Sequence, residues 1–505
     1  HARTARMLVR VRARLVLADR RVQRILGVPV ARARPPLGCR ALGELPKAGP
    51  GYRMPGVAVR SSDLALVQFS SGTTVEPKPV ALSHRAILAQ TEILQSLWPD
   101  TATVHHSAVS WLPLYHDMGL IGCVFPALAR DATLTLIPPE LFVARPALWL
   151  RAISRYRATV SPAPNFAYAL CASRVPESEL QGLDLSSWVT ALDGAESVAP
   201  GVVRAFEARL APYGLKPGVV TPVYGLSEAA LAVTFPPLGR PLLARRFDRE
   251  ALAREGRARE APQHAVAREI VSVGRPLPGF RLEVRSEDGR PLPAGRVGRI
   301  WVAGPSLMES YLDDPTATAE ALQGGFLDTG DLGFLWEGEL YLTGRAKDVV
   351  ILRGRNHSPE EIERAVDGLP GARPGCAVAV SFLPEGGEGE VLALFVEARR
   401  GATREERLAL PEASRKAVLA ASGLDMDLAV VLPPGTLPRT SSGKLRRAET
   451  LRLYLAGELK PPERVTPLRL AGAVARSRLA YARLSLAGRA ALAMEDAEAE
   501  DEGTE

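Results

Sequence analysis

Short apolar runs alternate with amphipathic stretches from about Ser61 to Gly304. The runs predict strands at Leu64–Phe69, Ala108–Leu112, Ala132–Ile137, Ala158–Val160, Trp188–Leu192 and Val219–Val223. Between them lie segments of helical spacing: Ser83–Leu97 (Ile87, Leu88, Ile93, Leu94, Leu97), Met118–Ala129, Pro146–Tyr156, Pro164–Ser173 and Pro200–Leu210. Alternation of this kind is βαβ grammar and implies a parallel sheet covered by helices on both faces. Arg281–Arg285 and Arg299–Ala303 add further β structure.

Thr234–Gly274 interrupts the pattern with Pro236, Pro237, Pro241 and the charged run Arg245–Arg259, so it is expected as an insertion on the surface. After Gly344 the texture changes. Val349–Leu352 reads as a strand, Ser358–Val366 as a helix capped by Ser358, Ala377–Phe382 and Val391–Glu397 as strands, and Arg404–Ala421 as a helix. Pro461 and Pro462 end this unit, and Leu468 to Met494 carries one apolar stripe of a helix. Residues 495–505 hold seven acids and no base, a composition that disfavours a packed fold. The expected fold class is α/β. A large N-terminal domain of parallel sheets layered with helices plus additional β structure spans 1–344, with its insertion at about 234–274. A hinge at 345–349 leads to a small mobile α+β C-terminal domain over 350–460, and 461–505 is a helical extension with an acidic tail.

At 505 residues, 46% hydrophobic and 24% charged, the chain has room for a large core and more than one domain. No apolar run is long enough for a membrane span, which argues against integral membrane association. The start is arginine-rich without an apolar h-region, so no secretory signal is read there; it begins at His1, as a fragment would. The net charge of +7 does not imply nucleic acid: the basic residues are dispersed, and those of Arg3–Arg34 are interleaved with apolar residues at helical spacing. Only seven of the 63 basic residues are lysines, and Lys78, Lys347 and Lys444 each fall inside a motif-like segment. Cys39, Cys123, Cys171 and Cys376 are far apart and form no CxxC, which fits a reducing cytoplasm without disulfides or a thiolate metal site.

Residues 69–79, Phe-Ser-Ser-Gly-Thr-Thr-Val-Glu-Pro-Lys-Pro, follow an apolar strand and precede a helical stretch. In such a strand–loop–helix unit Gly72 lets backbone approach an anion, hydroxyls and N–H groups donate, and Lys78 adds charge. The spacing is not that of a Walker A loop. Val223-Tyr-Gly-Leu-Ser-Glu-Ala229 follows a strand end at the sheet's carboxyl edge, where α/β folds bind ligands. Tyr224 can stack on a base, Ser227 can donate to a phosphate and Glu228 can hold Mg²⁺. Phe326-Leu-Asp-Thr-Gly-Asp-Leu332 offers a carboxylate in a turn suited to vicinal hydroxyls, or a plain hairpin turn. Leu342-Thr-Gly-Arg-Ala-Lys-Asp-Val349 falls on the domain boundary and can hinge there, with Arg345 reaching back to a ribose or phosphate. Leu437-Pro-Arg-Thr-Ser-Ser-Gly-Lys-Leu445 puts a lysine at the tip of a Ser/Gly loop, a pattern that also makes simple surface loops.

These five segments, in this order, resemble the adenylate-forming superfamily of AMP-dependent acyl and aryl synthetases and ligases. The resemblance implies two steps: a carboxylate attacks the α-phosphate of ATP to give acyl-AMP and pyrophosphate, and the acyl group then passes to a thiol. By position, Ser70, Ser71, Gly72, Thr73, Thr74 and Lys78 would bind the β- and γ-phosphates, and Glu228 the Mg²⁺. Gly194, Ala195, Glu196, Tyr224 and Gly225 would cradle adenine. Asp331 and Arg345 would hold the ribose, Lys347 would mark the hinge, and Ser227 and Lys444 would act in catalysis. A cation such as Lys444 between two anions offsets their repulsion and stabilises charge at phosphorus.

Ser110-Trp-Leu-Pro-Leu-Tyr-His-Asp-Met-Gly-Leu120, Ser161-Pro-Ala-Pro-Asn-Phe166, Thr234-Phe-Pro-Pro-Leu238, Val273-Gly-Arg-Pro-Leu-Pro278 and Arg353-Gly-Arg-Asn-His-Ser358 resemble the fatty acyl-AMP ligase branch. That branch puts His116 at the junction of acyl and nucleotide sites, carries an insertion where Thr234–Gly274 lies, and delivers its acyl group to the phosphopantetheine of an acyl carrier protein or a polyketide or non-ribosomal peptide synthase. Read instead as a metal pair, His116 and Asp117 lack a third ligand at useful spacing. Phe125, Phe142, Phe166 and Tyr168 fit either an acyl tunnel or ordinary core. Two residues depart from the family pattern: Pro79 stands where a glycine is usual, and Glu76 adds a negative charge beside the loop. The family's opening elements would also lie before Arg3. The alternatives are an acyl-CoA synthetase and a non-catalytic adenylate-binding remnant.

Overall fold

The computed structural model describes residues 2–45, 49, 51–53, 56–70, 77–101, 105–352, 355–384, 390–440, 443–461 and 468–484. They divide into two units: 1–59 with 462–505, and 60–461.

The larger unit is organised by a five-stranded parallel sheet. We label β1 Leu64–Phe69, β2 Pro79–Ser83, α1 His84–Leu97, β3 Ala108–Ser110, β4 Leu134–Leu136, β5 Val160–Pro164, β6 Thr190–Gly194 and β7 Val220–Pro222. The sheet order is β4-β3-β5-β6-β7, all parallel, as the alternating pattern predicts. The predicted helices form with small shifts at their ends: Ala147–Tyr156, Asn165–Arg174 and Pro200–Leu210, the last starting on a proline whose missing N–H is an orphan there anyway. Ser83 caps α1, its Oγ accepting from the Ala86 N–H at 3.2 Å.

Three local expectations are corrected. The strand–loop–helix unit is a strand–loop–strand–helix unit: β1 pairs antiparallel with β2 and stands apart from the parallel sheet. Pro79 opens β2, a position where a strand tolerates proline. The single helix expected over Met118–Ala129 is three pieces: Asp117–Gly119, a wide π turn at Leu120–Val124, and Phe125–Arg130. A Cβ at Gly119 would lie 2.3 Å from the Pro113 carbonyl oxygen, so this close start requires glycine. Thr329-Gly330-Asp331 is not a hairpin turn. It lies inside the strand Phe326–Trp336, where the pairing with Gly298–Ala303 slips register and Gly330 takes φ +72.

The segment 234–274 is less superficial than its composition implies. Ala232–Phe235 is a buried strand, and Ala244–Asp248 pairs antiparallel with Ala267–Val271. Phe247 from this ribbon is fully buried against Phe334 and Tyr341. One aromatic anchor thus docks a charged ribbon. The ribbon also meets residues beyond 350: Arg249 pairs with Glu361 at 2.5 Å, and Arg268 donates to Ser358 Oγ and the Thr343 carbonyl, both at 3.0 Å.

Residues 350–461 have two apolar clusters of their own. Ala372–Phe382 and Val391–Ala398 run antiparallel, and Leu428–Leu432, which the apolar pattern did not single out, adds in parallel. Thr403 and Glu406 form a capping box that starts the helix Arg404–Ser422. Glu397, fully buried in the middle strand, accepts from Arg373 at 2.6 Å and from the Leu437 N–H at 2.8 Å, which anchors the base of the loop bearing Lys444.

In the smaller unit, helices Ala2–Arg10, Arg20–Gln23 and Gly27–Ala33 surround a parallel pair, Val16–Ala18 with Cys39–Ala41. The helix 468–484 closes on it: the Gly27 N–H donates to Ser477 Oγ at 2.7 Å, and a Cβ at Gly27 would lie 2.2 Å from the Ser477 carbonyl oxygen. The end of the predicted helix, 485–494, and the acidic tail 495–505 lie outside the described residues.

Candidate active site

A cavity of ≈ 320 Å³ opens at the carboxyl end of the parallel sheet. The edge of such a sheet is where strand ends leave backbone and loops free to meet a ligand. Of the residues picked from the sequence, Ser70, Lys78, His116, Gly194, Ala195, Tyr224, Gly225, Ser227, Glu228, Arg345, Lys347 and Lys444 all border it. Glu196 and Asp331 stand one step back, and Ser71, Gly72, Thr73 and Thr74 lie outside the described residues.

The neck of the Ser/Thr/Gly loop is closed by its ends. The Ser70 N–H donates to the Lys78 carbonyl at 2.8 Å, and the Lys78 N–H donates to Ser70 Oγ at 3.1 Å. The Lys78 ammonium lies 4.4 Å from the centre of the Tyr311 ring. The Tyr311 hydroxyl donates to Glu228 Oε1 at 2.8 Å. Tyr311 was missed in the sequence, where a lone Ser-Tyr pair carries no signal. It orients the Glu228 carboxylate. One carboxylate beside phosphate oxygens suits Mg²⁺, which keeps several waters and takes few protein ligands, so the donor set present fits that ion.

Gly194, Ala195 and Glu196 leave the end of β6. Ala195 holds φ +68, a left-handed conformation that costs a non-glycine residue energy. The Phe166 N–H donates to Glu196 Oε1 at 2.6 Å. Burial raises the Glu196 pKa, against that bond and the charges of Lys444 and Arg439. Tyr224–Gly225 pairs with the strand Ala232–Phe235, and a Cβ at Gly225 would lie 1.8 Å from the Leu231 carbonyl oxygen, so only glycine fits. The Tyr224 hydroxyl donates to Asp331 Oδ2 at 2.8 Å and Arg345 Nε donates to Asp331 Oδ1 at 2.9 Å. Asp331's charge, set against burial, raises the Arg345 pKa and keeps that guanidinium cationic.

His116 and Asp117 are partners rather than a metal pair: Nδ1 lies 2.7 Å from Asp117 Oδ1, and Ser227 Oγ donates to Asp117 Oδ2 at 2.5 Å. Burial alone would push the Asp117 carboxyl up. The His116 charge and hydrogen bond, the Ser227 hydroxyl and the Lys444 charge outweigh it and hold the pKa at about 2. Asp117 is therefore the anionic hub that ties three of the residues chosen from separate motifs. Lys444 sits at the neck of its loop, not at the tip that the Ser/Gly pattern implies. Its N–H donates to Thr440 Oγ1 at 3.0 Å and its carbonyl accepts from the Thr440 N–H at 2.8 Å. Burial first, then the Arg345 charge, lower the Lys444 pKa, against Asp117, Glu196 and Asp331.

Arg299, Asp328 and Glu320 border the cavity as well, Arg299 pairing with Asp328 at 2.6 Å, while one arm of the cavity is uncharged, bordered by Leu94, Trp98, Gly122, Val160, Leu192 and Phe235. None of the four aromatics considered for an acyl tunnel borders it. Phe142 and Tyr168 are fully buried on the other side of the sheet, Phe166 is 37% exposed, and Phe125 packs on the core beside α1. All four stand on helices, Phe125–Arg130, Pro139–Ala144 and Asn165–Arg174, and apolar character near the motif did not distinguish tunnel from core.

A cationic and carboxylate-bearing mouth over an uncharged arm, at the edge of a parallel sheet, defines the class of ligases that activate carboxylic acids. The family model described as AMP-binding enzyme matches residues 2–312, and the chain belongs to that family. A Caulobacter vibrioides (strain NA1000 / CB15N) protein provisionally named an acyl-CoA synthetase is 40% identical over 423 residues, 82% of this chain and 72% of that protein. The medium-chain-fatty-acid–[acyl-carrier-protein] ligase JamA of Moorena producens (strain JHB) is 36% identical over 418 residues, 79% of this chain and 69% of JamA. Among solved structures, a chain from studies of fatty acyl-adenylate ligases from E. coli and L. pneumophila superposes with a TM-score of 0.81 at 32% identity, covering 90% of this chain and 81% of that one.

Proposed function

We propose that this protein is a cytoplasmic fatty acyl-AMP ligase. It joins a fatty acid to ATP, releases pyrophosphate, and passes the acyl group to the phosphopantetheine thiol of an acyl carrier protein or of a polyketide or non-ribosomal peptide synthase. The observation that carries this reading is that Lys444, from the C-terminal lobe, borders the same cavity as Glu228, His116 and an uncharged arm. A fatty carboxylate and an α-phosphate repel, and a cation shared by both lowers that repulsion and the barrier.

On this reading Ser70 and Lys78, with the loop between them, take the β- and γ-phosphates. Glu228, oriented by Tyr311, holds Mg²⁺, which would neutralise charge on the phosphates. Gly194–Glu196 and Tyr224 take the adenine, and Asp331 with Arg345 takes the ribose. His116, tied to Asp117, faces the fatty carboxylate. Residues 345–349 act as the hinge of a lobe that carries Lys444 away once the adenylate has formed. Among the described residues no helix is long and apolar enough to cross a membrane, which fits a reaction between soluble partners.

The choice of acceptor follows from the ribbon within 234–274. Arg249 and Arg268 hold Glu361 and Ser358, just past the hinge, and so favour the adenylating orientation of the lobe. A bias of a few kcal/mol is enough to deplete a second orientation. The name of the Caulobacter relative supports the other acceptor, CoA. Pyrophosphate exchange driven by a fatty acid tests the first step. Offering CoA and a pantetheinylated carrier side by side tests the second. No exchange with any fatty acid overturns the enzyme reading, and thioester formed only on CoA overturns the carrier reading.

A further inference from the structure

The uncharged arm of the cavity has a measurable depth. Thr190, Leu192 and Gly194 point to one side of β6, and Val160 and Pro162 to the same side of β5, because strand side chains alternate and the two strands pair in register. Leu192, Gly194, Val160 and Pro162 border the cavity. Gly194 stands at its mouth, beside Val223 and the Tyr224 strand. Trp98, the residue after α1, borders the far end. Its indole Nε1 donates to Thr190 Oγ1 at 3.0 Å, and its ring meets Phe235 edge-on with centroids 6.2 Å apart. Trp98 is 8% and Phe235 6% exposed, so this pair is packed rather than free to swing.

The arm therefore runs from the level of Gly194 to the level of Thr190. Four residues of strand cover ~13 Å. An extended hydrocarbon of ~1.5 Å C–C bonds zig-zags forward roughly 1.25 Å per carbon, so about ten carbons fill that length. A Cβ at Gly122 would come within 2.8 Å of Leu231 Cδ2, so these two residues pack against each other in the wall. Leu94, Trp98, Val160, Leu192, Leu231 and Phe235 offer no charge to a second ionic group, which would be buried unpaired.

We propose that Trp98 and Phe235 form the floor of the acyl arm and restrict this enzyme to fatty acids of medium length, about ten carbons. This rests on the adenylation reading above and adds to it the substrate class. The test is acyl-AMP formation by the full chain with straight-chain acids from hexanoate to octadecanoate. The expected kcat/KM is highest near decanoate and roughly tenfold or more lower at hexadecanoate. Trp98→Ala removes the floor and is expected to move the maximum to longer acids. Val160→Leu adds bulk to the lining at the level of Thr190 and is expected to move it to shorter ones. A wild-type maximum at hexadecanoate or beyond overturns the inference, as does a folded Trp98→Ala protein with an unchanged profile. If Trp98→Ala fails to fold by circular dichroism, an unchanged profile in Val160→Leu overturns it instead. If no fatty acid is adenylated, the adenylation reading fails, and the floor is judged by calorimetric binding of the same acids. A preference for about ten carbons that Val160→Leu shortens upholds it, and binding without length dependence overturns it.

Discussion

On one face of the parallel sheet, Trp149, Tyr168, Trp188 and Phe206 are each no more than 1% exposed and pack edge to face, with Trp149 and Trp188 5.2 Å apart and Tyr168 and Phe206 5.0 Å apart. On the other face, Val160, Pro162 and Leu192 border a cavity. Backbone and register are shared; only the alternate side chains differ. Large rings fill the first face to crystal-like density. Aliphatic side chains, Gly122 and one tied tryptophan leave the second face hollow.

Two buried aspartates repeat the contrast. Asp193, on the filled face at the end of β6, has the neutral amide of Asn165 as its partner at 2.6 Å, and its other oxygen is unpartnered. Burial, added to by the Glu196 charge and set against the Asn165 hydrogen bond, raises its pKa well above the ordinary value. Asp117, beside the cavity, is held at about 2 by His116, Ser227 and Lys444 despite its burial. Burial is common to both, and the partners decide the charge.

Four measurements break or sharpen this comparison. Trp149→Ala, on the filled face, is expected to cost about 3–5 kcal/mol of stability in denaturant unfolding. It should leave the acyl-chain profile of the folded protein unchanged, and a shifted profile would erase the distinction between the faces. Lys444→Ala, at the mouth of the hollow face, is expected to slow acyl-AMP formation by roughly 10²–10³-fold, about 2–4 kcal/mol of barrier, with little change in melting temperature. Equal slowing of acyl transfer from preformed acyl-AMP would contradict its assignment to the first step.

The third is Asp193→Asn. Because the folded pKa of Asp193 lies above its unfolded value near 3.8, the native state binds more protons than the unfolded one between those values. Stability from this site therefore falls as pH rises through that window. The neutral, isosteric amide should remove the slope and gain on the order of 1 kcal/mol at the alkaline end. Asp117 has the opposite sign: its contribution is whole above pH 3.8 and lost as pH falls towards 2, so it adds no slope near neutrality. Urea midpoints of wild type and variant across pH 5–9 distinguish the two. The smallest effect is expected from Arg249→Ala. Loss of its pair with Glu361, a partly exposed contact worth about 1 kcal/mol at most, should raise the share of thioester formed on CoA a few-fold. An unchanged acceptor ratio would remove the ribbon from acceptor choice.

Much of the fold was legible because periodicity reports burial one element at a time. The strands of the parallel sheet, α1 and the helix Pro200–Leu210 follow from apolar spacing alone. Motif chemistry likewise singled out Lys78, Glu228, Arg345 and Lys444, which border one cavity. What spacing missed was pairing. Nothing in Pro79–Ser83 announces a strand that folds back on Leu64–Phe69, and the Thr329-Gly330-Asp331 bulge reads as a turn until its neighbouring strand is known.

The sequence by itself determined the element types, the family and the residue chemistry at the sheet's edge, since each depends on a few neighbouring side chains. Only the tertiary structure decided which face of the sheet is hollow, that Trp98 borders that hollow, that Tyr311 orients Glu228, and that Ser227 reaches Asp117. The same holds for the closing of 468–484 onto the first helices through Ser477 and Gly27. Each of these rests on contacts between residues tens to hundreds apart in sequence, where packing and burial select the partners and no local pattern records the choice.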